Sequence, residues 1–145
     1  HESDLPKGQG MSPMTWQILE GKNNIPVTLF EANKKLDSGK IYLRDTINLN
    51  GDELLNEWHI KQASITNKLI LSWIDNYKTI VEKSIKQYGE ASQYERRYPK
   101  DSELNINQSL EGQINLLRVV DNEKYPAFFQ KFGKKYIISI FEAEE

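Results

Sequence analysis

The sequence reads as an α/β chain, and three observations carry that reading. Short apolar runs of strand length, bounded by glycine, proline or asparagine, stand at 25–31, 40–48 and 126–140. A long stretch between the second and third, from about 53 to 86, places its apolar residues at helical spacing. An apolar share of 38% with 10% aromatics in 145 residues is enough to build a real core.

The elements follow in order. His1 to Gly10 carries two glycines and a proline, which break both helical and strand periodicity and predict a loop. Ser12-Pro13 reads as a helix start, with Ser12 as N-cap and Pro13 at the first helical position. Met14, Trp16, Ile18 and Leu19 give that helix apolar faces, and Gly21 stops it. Ile25 to Glu31 is a short, nearly continuous apolar run, the pattern of a strand buried on both faces. Ala32 to Gly39 is a second loop, and Lys40 to Asn48 a second strand. Asn50-Gly51 marks a turn, with Asp52 as the expected N-cap of the long helix.

Along that helix Leu54, Trp58, Ile65, Leu69, Trp73 and Tyr77 form one stripe, which assigns both tryptophans to packing. Ser64 and Thr66 are the expected position of any kink. Tyr88 to Asn107 reads as a polar connector. Ser109 caps an expected helix from Leu110 to Val120, and Pro126 to Ile140 reads as a β-hairpin turning at Phe132-Gly133-Lys134. The organisation expected is 1–88 as one unit, 89–108 as connector and 109–145 as a terminal helix-and-hairpin module.

Composition excludes several classes of function. A formal net charge of −2 argues against a dedicated nucleic-acid surface. No apolar run approaches the roughly 18 residues of a membrane span. There are no cysteines, hence no disulfide, thiolate metal site or cysteine nucleophile. The two histidines, His1 and His59, are too few for a multi-histidine metal centre.

The candidate chemistry gathers at two turns. His1 opens one and Asp37 closes the other, with a helix and a strand between them. A chain that returns through those elements can set Asp37 beside His1, and a carboxylate beside an imidazole orients the ring and favours its protonated form. Gly8-x-Gly10 before a helix could cradle an anion, although a third glycine and a preceding strand are missing for a dinucleotide fingerprint. Arg96, Arg97 and Lys100 could meet phosphate or simply solvate the connector. His59 reads as an ordinary helix histidine.

These residues carry a family resemblance. His1-Glu2-Ser3-Asp4-Leu5-Pro6-x-x-x-Gly10 resembles the His-x-Ser-x-Leu-Pro-x-x-x-Gly signature of folate-dependent formyltransferases, and Leu36-Asp37-Ser38-Gly39 resembles that family's Leu-Asp-Thr/Ser-Gly loop at the same separation. The stretch from Arg96 to Leu104 is similar to the family's arginine-proline-acid-serine connector. Leu116-Leu117-Arg118-Val119 and Tyr125-Pro126-Ala127-Phe128 resemble its C-terminal helix and hairpin.

The resemblance implies the second half of a Rossmann-like catalytic domain followed by the helix and hairpin. It implies transfer of a formyl group from 10-formyltetrahydrofolate to a primary amine, with His1 and Asp37 catalytic. Asn33, Lys34, Lys35 and Leu36 would then line the folate site, and Gly8, Gln9 and Gly10 the substrate side. Gln9 departs from the arginine usual before the second glycine. The family's catalytic asparagine, two positions before the histidine, and its N-terminal strands would precede His1, so the resemblance implies an incomplete chain.

The compact ending and acidic balance favour the sugar branch: a cytoplasmic bacterial enzyme acting on a nucleotide-linked amino-deoxy sugar for lipopolysaccharide or a similar surface polysaccharide, with no nucleic-acid or membrane partner and a C-terminal module able to form a homodimer. The competing expectations are a methionyl-tRNA formyltransferase relative and a non-catalytic assembly module.

Overall fold

The computed structural model describes residues 1–144. Its elements in chain order are β1 (Gln9–Gly10), α1 (Pro13–Leu19), β2 (Asn24–Phe30), β3 (Ile41–Asn48), α2 (Leu55–Asp75), α3 (Tyr77–Glu82), β4 (Gln93–Tyr94), α4 (Ile114–Val119), β5 (Ala127–Lys131) and β6 (Lys134–Ile138). Short 3-10 turns occupy Pro99–Ser102 and Glu111–Gln113.

β2 is the strand that organises the first part. Its β-branched and apolar run pairs antiparallel with β3, from Asn24 opposite Asn48 to Leu29 opposite Leu43. On its other edge Thr28 and His1 exchange backbone bonds: the Thr28 N–H donates to the His1 carbonyl at 2.8 Å, and the His1 nitrogen donates to the Thr28 carbonyl at 3.1 Å. The loop that opens the chain is therefore anchored against the middle of the sheet. α1 and α2 cover the sheet, and Met14, Ile18, Ile25, Val27, Ile47, Leu49, Trp58 and Leu69 close the main core together with Val119 of α4. A second cluster joins Leu104, Leu117, Val120 and Ala127 under the β5–β6 hairpin.

Several local expectations change. Ser12 sits in the left-handed region at φ 52° and makes no side-chain cap, so α1 begins at Pro13 on the preset φ of proline alone. β2 is not buried on both faces along its length: Asn24 is exposed and Pro26, Leu29 and Phe30 are half-buried. The long helix starts at Leu55 rather than after Asp52, because Glu57 reaches back to the Leu54 amide at 2.8 Å. It breaks at Asn76 (φ −123°), not at Ser64 or Thr66, and α3 continues from there. The expected Leu110–Val120 helix shortens to a 3-10 turn and the six residues of α4. The connector is not structureless: β4 pairs parallel with β1, Gln9 opposite Gln93 and Gly10 opposite Tyr94. Two-residue strands carry no sequence period, which is why neither was visible.

Candidate active site

Two turns meet at the edge of β2. The first, 1–10, is fixed from three sides. Ser3 receives Thr28: the threonine hydroxyl donates to the Ser3 carbonyl at 2.6 Å. The Arg44 guanidinium donates to the Leu5 carbonyl at 2.8 Å. The Gly8 amide donates to Ser92 Oγ at 2.9 Å, and the Gln9 amide to the Ser92 carbonyl at 2.9 Å. Gly10 cannot be replaced without displacing β4, since a Cβ there would lie 2.3 Å from the Tyr94 carbonyl oxygen.

The second turn, 31–39, folds back on itself. A Cβ on Gly39 would stand 1.7 Å from the Glu31 carbonyl oxygen, so only glycine closes this turn. Asp37 holds a left-handed backbone at φ 51°, a conformation that aspartate tolerates better than most residues.

The folding of these turns sets Asp37 Oδ2 3.7 Å from His1 Nε2, with the side chains only 10% and 12% exposed. That is ion-pair range, longer than a hydrogen bond. The Nε2 hydrogen is directed instead at the Gly8 carbonyl, 2.8 Å away; a carbonyl only accepts, so Nε2 is the protonated ring nitrogen. Phe30 meets the ring edge-on at 6.2 Å between centroids. Asp37 Oδ2 accepts the Gly10 amide at 2.8 Å. A partly dehydrated imidazole and carboxylate in this contact can donate a hydrogen to developing negative charge and accept a proton from a nucleophile.

The other residues singled out by sequence divide. The Gly8, Gln9 and Gly10 amides do not form an open anion cradle: their acceptors are Ser92 Oγ, the Ser92 carbonyl and Asp37 Oδ2, all within the chain. The Gln9 side chain is buried and its Nε2 donates to the Asp37 carbonyl at 3.1 Å. Asn33, Lys34, Lys35 and Leu36 form an exposed loop beside Asp37, with Asn33 Oδ1 accepting from the Lys35 amide at 3.1 Å and from Ser38 Oγ at 2.9 Å. Arg97 is engaged within the chain: it lies 5.2 Å over the Trp16 ring, which itself stacks on Tyr94 at 6.1 Å, its Nη2 donates to the Asp101 carbonyl at 2.8 Å, and burial lowers the pKa of its guanidinium. His59 is exposed on α2, against Trp58. Among the described residues no group of three acidic, histidine or cysteine side chains could hold a metal. Nor is any helix there long and apolar enough to cross a membrane.

No family model matches the chain. Individual proteins do. The bifunctional polymyxin resistance protein ArnA of Wigglesworthia glossinidia brevipalpis is 30% identical over 142 residues, 95% of this chain and 21% of that protein. Methionyl-tRNA formyltransferase of Rickettsia felis is 28% identical over 152 residues, 99% of this chain and 46% of the relative. The chain is a homologue of the formyltransferases.

It spans less than half the length of these curated relatives. The fold agrees with the same family. Methionyl-tRNA formyltransferase from Clostridium thermocellum superposes with a TM-score of 0.78 at 24% identity, covering 99% of this chain and 62% of that one. A 4-N formyltransferase from Francisella tularensis gives 0.74 at 18%, covering 100% and 62%. HypX from Aquifex aeolicus, solved in complex with tetrahydrofolic acid, gives 0.73 at 17%, covering 97% and 24%. The α/β architecture of the chain thus corresponds to part of the formyltransferase fold.

Sequence reading singled out His1 and Asp37, which the structure brings within 3.7 Å, but missed two residues that hold their turns. Gln87 Nε2 donates to the Asp37 carbonyl at 2.8 Å and to the Gly39 carbonyl at 2.9 Å. Ser92 holds the opposite turn. Both lie in the polar stretch after α3, where nothing periodic distinguishes them from solvated surface.

Proposed function

We propose that this chain carries the reactive pair of a formyltransferase that moves a formyl group from 10-formyltetrahydrofolate to the amine of a nucleotide-linked amino-deoxy sugar. The observation that carries the reading is the His1–Asp37 contact at 3.7 Å, assembled from turns 36 positions apart in a homologue of formyltransferases. The acidic net charge of −2 favours a sugar acceptor over tRNA, and a sugar N-formyltransferase from Shewanella shares the fold.

The residues next to the pair fit a folate. Leu36 presents a side chain that is 67% exposed, suited to an aromatic ring system, and Lys34 and Lys35 stand exposed beside it, suited to glutamate carboxylates. A bound 10-formyltetrahydrofolate would supply an activated formyl group. The chain's own groups then do the following. His1 turns its Nε2 hydrogen from the Gly8 carbonyl to the formyl oxygen as negative charge grows there. Asp37 keeps Oδ2 on the Gly10 amide, which leaves Oδ1 to take the proton of the attacking amine. The amine would thereby exchange a hydrogen for the formyl group, and the proton held by Asp37 would be the one returned to the leaving folate nitrogen.

The test is formyl transfer by the full-length protein, offered 10-formyltetrahydrofolate with UDP- and dTDP-linked amino-deoxy sugars or with methionyl-tRNA. Formylated sugar, lost by about 10²- to 10⁴-fold in His1→Ala and Asp37→Asn, is the expected result. Formylation of the tRNA alone would favour the second reading, a methionyl-tRNA formyltransferase, which the 28% identity to the Rickettsia enzyme along 99% of this chain supports. Transfer that survives both substitutions would remove the pair from the mechanism.

A further inference from the structure

The geometry points to Gln87 as the positioning residue that sets where the Asp37 carboxylate stands against His1. This rests on the role proposed for that pair. Asp37 sits in a left-handed backbone that an L side chain rarely adopts, so the turn needs external restraint. One carboxamide supplies it. The two hydrogens of Gln87 Nε2 go to the carbonyls of Asp37 and Gly39, at 2.8 and 2.9 Å, which fixes two peptide planes of the same turn. Gln9 Nε2 donates to the Asp37 carbonyl as well, at 3.1 Å, so both lone pairs of that oxygen are taken.

Gln87 is itself well placed to hold still. The residue two positions before it, Ile85, exchanges backbone bonds with Ile41 at 2.7 and 3.1 Å, on the far edge of β3. Its Oε1 is buried without a partner among the described residues, a cost that makes sense only if the amide end is what the position requires. The orientation of the carboxamide is forced, because two carbonyl acceptors demand the nitrogen. The segment thus transmits the position of β3 to the carboxylate 50 residues earlier. Gln87 touches no reacting atom in this arrangement; it acts through Asp37.

Gln87→Met preserves size and removes both donors. In the full-length protein, with 10-formyltetrahydrofolate and the formylated amino sugar's parent as acceptor, we expect kcat to fall about tenfold while KM for the amine stays within about twofold. The second readout is amide hydrogen exchange by NMR. The Gly10 amide, which donates to Asp37 Oδ2, should exchange about tenfold faster, while the β2–β3 amides keep their rates. Unchanged Gly10 exchange, or a uniform acceleration of every amide, overturns the proposal. A wild-type protein that transfers no formyl group, but whose Gly10 exchange still responds to Gln87→Met, overturns the functional reading and leaves the hold of Gln87 on Asp37 standing.

Discussion

Asp37 and Glu53 are both largely buried carboxylates that face a nitrogen-bearing side chain far away in sequence, yet they are built in opposite ways. Asp37 accepts one backbone amide and stands 3.7 Å from the His1 ring, short of a hydrogen bond. Glu53 is saturated. Its oxygens accept the amides of Asn50 at 2.7 Å and Gly51 at 3.0 Å, the Lys61 ammonium, and Arg118 Nη2 at 3.5 Å. Arg118 is 2% exposed and also donates to the Glu53 carbonyl at 3.2 Å and to Asn115 Oδ1 at 3.0 Å. The Trp58 indole closes the cluster on the Arg118 carbonyl at 3.0 Å. A carboxylate whose lone pairs are all engaged has nothing left for a reactant. One that is held by a single amide, in a strained turn, does. The difference separates a fastener between α2 and α4 from the pair proposed to react.

The largest effect that would break this comparison is on stability. Glu53→Gln leaves the Arg118 charge buried without its counter-charge, and we expect a loss of about 3 to 5 kcal/mol in urea unfolding. Asp37→Asn keeps an acceptor for the Gly10 amide and should cost no more than about 1 kcal/mol, while the proposed formyl transfer falls by about 10²- to 10⁴-fold. Equal destabilisation by the two substitutions would mean that Asp37 is a fastener as well.

A pH series sharpens the same contrast. Burial alone would raise the Glu53 carboxyl, but the Lys61 hydrogen bond and the Asn50 and Gly51 amides outweigh it and hold the group down at about 2, from an ordinary 4.5. A depressed carboxyl stabilises the fold above its unfolded value and loses that contribution as pH falls through the folded one. The contribution should be intact above pH 4.5 and drain away toward pH 2, on the order of 3 kcal/mol in all. Urea midpoints measured from pH 6 to pH 2 check this, with Glu53→Gln as the control in which much of that slope disappears.

The two turns that bring His1 and Asp37 together were easier to read in the sequence than the Glu53 fastener, for physical reasons. His1 and Asp37 each lie in a turn marked by glycine or proline, and turn chemistry is local. Asp37 needs a left-handed backbone and Gly39 a missing Cβ, and both requirements leave signatures in the residues themselves. Glu53 follows Asp52 at a helix start, where an acidic residue is ordinary, and its partner Arg118 is 65 positions away inside a helix whose length the apolar pattern overstates. Gln87 and Ser92 were hidden by the same lack of period that hid β4. The stripe was legible where burial imposes the 3.6-residue repeat, at Trp58 and Leu69, which are 3% and 6% exposed, but it does not stay buried to its end, since Tyr77 is 50% exposed. The break at Asn76 was not legible, because the apolar pattern runs through it into Tyr77 and Ile80.

The smallest effect tests whether saturation, rather than mere pairing, makes Glu53 a fastener. Asp45 pairs with Lys68 at 2.7 Å, and both the lysine bond and the Thr46 amide at 2.8 Å lower its pKa, so in the kind of its partners, a lysine and a backbone amide, it resembles Glu53. The lysine is 69% exposed, however, and solvent screens the pair. Lys68→Ala should therefore change stability by less than about 0.5 kcal/mol, and raising the salt should hardly alter the difference between the two proteins. A loss comparable to that of Glu53→Gln would show that β3 and α2 depend on this surface contact, and that burial is not what distinguishes the two acidic clusters.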